Sequence, residues 1–147
     1  NGLTPAEIDA IVVTRGPGSY TGVRIGMTLA KVLGSLMGTD VYTLSSLQLY
    51  TGKKDCYAIV DARARRVYAG KYENGRAVIE DAVYTNEKMQ EIINAGEKVV
   101  GDLHIFQKED EYGDLVQHFY DLRDCWVKAE NVDLLVPSYL KSNEEYL

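Results

Sequence analysis

The chain has 147 residues, 46% hydrophobic and 26% charged, which suits one domain or two small lobes with real cores. Its 16 Lys and Arg against 22 Asp and Glu leave a net charge of −6. That balance counts against tight, direct nucleic-acid binding, because neutralisation of phosphates by cations supplies most of such affinity, and no apolar run approaches the roughly 20 residues a bilayer span needs.

In chain order, residues 8–14 read as a short buried strand rich in β-branched side chains, ending at the punctuation Gly16-Pro17-Gly18. Ser19 or Thr21 can cap the helix that follows over 21–37. Along it Gly22, Gly26, Ala30, Gly34 and Gly38 recur every fourth residue and share one face. Gly26 and Gly34 together cost about 1–2 kcal/mol of helix propensity, so close packing must offset them. The partner is either another polypeptide or the chain's own sheet, and Gly38 also serves as a C-cap. Residues 41–44 form the next strand. Residues 56–61 and 67–72 read as a strand pair joined across an arginine-rich stretch, and Asn74-Gly75 marks a hairpin turn into 77–80. A helix over 87–94, capped by Thr85 or Asn86 and closed by Gly96, precedes a strand at 98–100. A helix over 114–124 follows, and 132–140, which contains Pro137, reads as a weak edge strand. The alternation is that of an α/β protein.

The run Gly16-Pro17-Gly18-Ser19-Tyr20-Thr21-Gly22-Val23-Arg24-Ile25-Gly26 resembles the signature of the bacterial TsaB (YeaZ) family. Further elements agree in order: Thr43-Leu44-Ser45-Ser46-Leu47, Asp61-Ala62-Arg63 with Val67-Tyr68, Val100-Gly101-Asp102, and Pro137-Ser138-Tyr139-Leu140-Lys141. Residues 103–126 fit the family poorly. The resemblance implies an actin-like/RNase H-like (ASKHA) two-lobe fold, with 1–50 as the remainder of a first lobe and 51–147 as a second, smaller α/β lobe. Members usually carry about fifty further residues ahead of the first strand, judged by ordinary element lengths, so the first lobe is expected to be incomplete at its N-terminus. The implied function is a non-catalytic scaffold subunit of the tRNA threonylcarbamoyladenosine machinery in the cytoplasm. The implied partners are a TsaD-like catalytic subunit and a TsaE-like ATPase, with a homodimer when the TsaD-like subunit is missing. Contact with tRNA is then only indirect, and neither membrane nor cofactor is involved.

Under that reading the partner interface is the helix face made by Gly22, Val23, Gly26, Met27, Ala30, Leu33, Gly34 and Met37. The loop residues Gly16, Gly18, Ser19, Thr21 and Arg24 form a generic anion-binding loop at a helix N-terminus. They match neither a Walker A nor a dinucleotide fingerprint, since Val23-Arg24 follows Gly22 and Thr21 stands where the latter needs glycine. The alternative is an enzyme acting alone, an actin-like-fold ATP-binding protein or a glycoprotease-like peptidase. Its candidate groups are Ser19, Ser45 and Ser46 with His104 or His118, and the strand-end acids Asp61 and Asp102. Neither histidine has a second His or Cys at ligand spacing. Cys56 and Cys125 stand isolated, as reduced structural thiols do. The cluster Arg63, Arg65 and Arg66, with Lys71 and Arg76 near, reads as a charged hairpin edge or an auxiliary RNA contact.

Overall fold

In a computed structural model, which describes residues 2–138 and 140, the predicted first strand spans Ala10–Thr14 (β1) and pairs in parallel with Asp40–Leu44 (β2). Parallel neighbours need a crossover, and Tyr20–Met37 (α1) supplies it. Ser19 caps this helix by accepting from the Gly22 amide, and Gly38 closes it in the left-handed conformation at φ 66°. Val127–Lys128 (β7) joins the other edge of β2 antiparallel, giving the order β1-β2-β7.

The second sheet is built as a meander. Cys56–Arg63 (β3), Arg66–Glu73 (β4) and Arg76–Thr85 (β5) are antiparallel, and Val99–Gly101 (β6) adds in parallel to the free side of β3, giving β5-β4-β3-β6. Alternation along β3 sends side chains to two cores. Cys56, Ala58, Val60 and Ala62 pack with Leu47 of Ser46–Thr51 (α2). Tyr57 and Ile59 pack with Met89 of Asn86–Asn94 (α3). A smaller cluster of Leu44, Leu122 and Cys125 closes over the first sheet beside Leu115–Asp121 (α4). Both cysteines are free and buried, and burial pushes the Cys56 thiol up.

Asn74 and Gly75 both take positive φ, 50° and 83°, as a two-residue hairpin of the expected kind requires. The β3–β4 turn is less ordinary. Arg63, Ala64 and Arg65 sit consecutively at φ 66°, 51° and 60°, a left-handed conformation that costs about 1–2 kcal/mol per L-residue. Asp61 Oδ1 accepts from the Arg63 amide at 2.9 Å and the Arg65 carbonyl accepts from Asn86 N at 2.9 Å, which hold the turn in place.

Three expectations need correction. Among the described residues of 132–140 there is no strand: Val132–Leu134 is a 3-10 turn, curled by the Asn131 side chain accepting from Asp133 N at 3.1 Å. A strand at Val127–Lys128 instead joins the first sheet. The 114–124 helix ends at Asp121, where a 3-10 turn over Arg123–Cys125 tightens the backbone. The 77–80 strand extends to Thr85. Within the terminal motif, Tyr139 and Lys141 lie outside the described residues.

Candidate functional site

The glycine loop between β1 and α1 is tied down on three sides. Arg15 N donates to Leu44 O at 2.9 Å, the Gly16 carbonyl accepts from Ser46 N at 2.9 Å, and Ser138 N donates to Arg15 O at 2.7 Å. Gly16 adopts φ 95°, which explains the glycine. Ser19 Oγ is taken up by the Gly22 amide at 3.2 Å. Gly18, Ser19 and Gly22 open onto a groove of about 230 Å³ with Ser46 and Tyr50 on its far wall. Arg24 lines a separate cleft, with Lys31 and Pro137. The structure thus splits the expected anion set: Gly18 and Ser19 share a groove, Gly16 is buried in tethers, Thr21 is exposed on the helix, and Arg24 lies elsewhere.

The small-residue ridge of α1 faces the chain's own sheet. A Cβ on Gly34 would meet Val41 Cγ2 at 2.9 Å and Val132 Cγ1 at 3.0 Å, and one on Gly26 would meet Val13 Cγ2 at 3.5 Å. Ala30 and Met27 are each 2% exposed. Val23 and Leu33 are half-buried, while Gly22 and Met37 are exposed. Of the expected interface, Met27, Ala30 and Gly34 are buried within the chain, and Gly34 packs against Val41 and Val132. The opposite face is open. Ile25, Leu29, Val32 and Leu36 are 64, 59, 46 and 78% exposed. Their spacing of four, three and four residues makes one continuous apolar stripe. It was present in the sequence, hidden by the more conspicuous glycine repeat.

A polar junction joins α2 to the second sheet. The Ser45 hydroxyl accepts from Leu47 N at 3.1 Å as helix cap and donates to Asp81 Oδ2. Tyr72 Oη donates to Asp81 Oδ1 at 2.7 Å. A Cβ on Gly70 would strike the Asp81 carboxylate, so glycine there leaves room for it. Burial pushes the Asp81 carboxyl up, against the two hydrogen bonds and Arg15, which draw it down. Burial, with Asp81 second, pushes the Tyr72 phenol up. Nothing in the sequence pairs Ser45 with Asp81 except the Ser45-x-x-Gln48 capping pattern, which marks the cap but not its second bond.

The candidate enzyme groups are engaged separately. His104 Nδ1 contacts Asp110 Oδ1 at 2.8 Å, and His118 Nδ1 contacts the Leu49 carbonyl at 2.8 Å. Asp102 accepts from Asp61 N at 2.8 Å and from the Tyr112 hydroxyl. Among the described residues no group of three or more His, Cys, Asp or Glu side chains could hold a metal, and no helix is long and apolar enough to cross a membrane.

With this geometry in view, comparison with known proteins is informative. Residues 1–112 match the family model described as TsaD, tRNA N6-adenosine threonylcarbamoyltransferase. The chain is 38% identical over 86 residues to the tRNA threonylcarbamoyladenosine biosynthesis protein TsaB of Bacillus subtilis, covering 55% of this chain and 38% of that protein. It is 41% identical over 83 residues to an uncharacterized protein of Mycobacterium tuberculosis, covering 55% and 39%. The chain thus spans about two fifths of the length of these curated relatives. A crystal structure from Pseudomonas aeruginosa, described as an uncharacterized protein with similarity to peptidase YEAZ, superposes with a TM-score of 0.71 at 21% identity, covering 95% of this chain and 77% of that one. The shared fold is the actin-like/RNase H-like one. By its TsaD-type domain and its TsaB relatives, the chain belongs to the TsaB (YeaZ) family.

Proposed function

We propose that this chain is a non-catalytic subunit of the cytoplasmic machinery that makes threonylcarbamoyladenosine on tRNA, and that it docks a TsaD-like catalytic subunit, or a second copy of itself, through the outer face of α1. The observation that carries this reading is the exposed apolar stripe of Ile25, Leu29, Val32 and Leu36. Burying a side chain of this size is worth about 1.5–3 kcal/mol, so four of them supply a substantial share of the free energy of a specific interface. The engagement of the candidate acids and histidines in separate structural contacts supports assigning the chemistry to the partner. The chain's role is then to hold the catalytic subunit in its working arrangement, and partner binding stabilises the fold by mass action.

Sedimentation of this chain with a TsaD-like subunit tests the docking face. Leu29→Asp combined with Leu36→Asp is expected to raise the dissociation constant at least about tenfold, the factor that 1.4 kcal/mol represents. Its thermal unfolding should stay within about 0.5 kcal/mol of the parent, as for exposed positions. An unchanged dissociation constant for a folded variant rejects the face.

A further inference from the structure

Several of the protein's cations are matched to acids. Lys53 and Arg76 reach Asp124, Lys71 reaches Glu97, Lys98 reaches Glu111, and Lys128 reaches Asp40, all within 4.0 Å. The β3–β4 turn concentrates positive charge. It carries Arg63, Arg65 and Arg66 within four residues on a chain of net charge −6. Arg63 and Arg65 are exposed, and among the described residues neither enters an ion pair.

The turn is also fixed. Three consecutive left-handed residues are held by the Asp61 carboxylate on one side and the Asn86 amide on the other. A fixed backbone sets the spacing of the points from which both side chains project, lowering the ordering cost of any contact they make. Planar guanidinium forks match phosphate oxygens two at a time. On a chain of net charge −6 such a cationic tip is a local exception to the repulsion a polyanion meets.

We propose that the Arg63–Arg65 tip is an auxiliary contact for the phosphodiester backbone of the RNA on which the assembly acts. The inference rests on the tRNA reading above. A backbone contact of this kind sets orientation without reading sequence.

The test measures binding of an unmodified tRNA transcript to the complex with a TsaD-like subunit, and to this chain alone, across a series of potassium chloride concentrations. Arg63→Ser with Arg65→Ser is expected to weaken binding and to flatten the log–log salt dependence by about 1.5, close to one unit for each phosphate no longer neutralised. Arg63→Lys with Arg65→Lys is expected to keep the parental slope. Parental affinity and slope in the folded serine variant overturn the proposal. So does a serine variant whose binding to the TsaD-like subunit, measured without RNA, is what weakens, since the tip then meets an acidic protein surface. If the unaltered chain fails to bind the TsaD-like subunit, the docking reading fails. The chain-alone titration then decides the tip, a parental slope in the serine variant overturning it.

Discussion

The two faces of α1 have the same length and the same apolar character, yet they differ in how much room surrounds them. On the inner face a single added carbon at Gly34 already meets Val41 and Val132 at 2.9–3.0 Å. On the outer face Leu36 keeps 78% of its surface. Small residues therefore mark where the helix packs within the chain, and large exposed ones mark where it does not. A run of glycines in a helix shows that something comes close; it does not say whether that neighbour belongs to the same chain.

The sharpest way to break this contrast is Gly34→Leu, which forces four carbons into an occupied space. We expect a loss of about 3 kcal/mol in urea unfolding, at the upper end of overpacking costs, and parental stability would show that the inner face is loose. Next, Asp81→Ala tests the polar junction, another filled contact. It leaves the Ser45 and Tyr72 hydroxyls without their acceptor and should cost about 2 kcal/mol. Asp81 also gives a pH signature. Because its native carboxyl lies above the ordinary 3.8, its share of stability is complete below that value and declines as pH rises through the native one. Asp81→Asn should remove that slope from the acid limb of a stability-against-pH series. A smaller effect of opposite sign is expected at the β3–β4 turn, where Ala64→Gly relieves one left-handed residue and should gain up to about 1 kcal/mol. Smallest of all, Leu36→Ser on the outer face should move the unfolding midpoint by no more than about 0.5 kcal/mol; a larger loss would mean that this face is covered within the chain after all.

Much of the fold was legible. Ser19 and Gly38 bound α1 because capping chemistry is local, and Asn74-Gly75 fixed its hairpin because only certain residues tolerate positive φ at both positions. What escaped depends on distant contacts. At six residues α2 was too short for periodicity to reveal. β5 looked short because Glu80-Asp81 interrupts its apolar run, yet Asp81 is turned toward Ser45 and Tyr72, and no local pattern announces those partners. β7 is two residues long and exists only because β2 has an open edge. The outer apolar stripe escaped for a related reason: sequence shows which side chains of α1 are small, while the position of the sheet decides which way they point.

The return of the chain to the first sheet at Val127–Lys128, with Ser138 bonded to Arg15, means that the polypeptide passes between the two sheets twice. One passage runs from β2 through α2 into β3, and the other leads from β6 through α4 into β7. Two covalent connections constrain the relative placement of the two sheets more than a single linker would, since each closes a loop through the other.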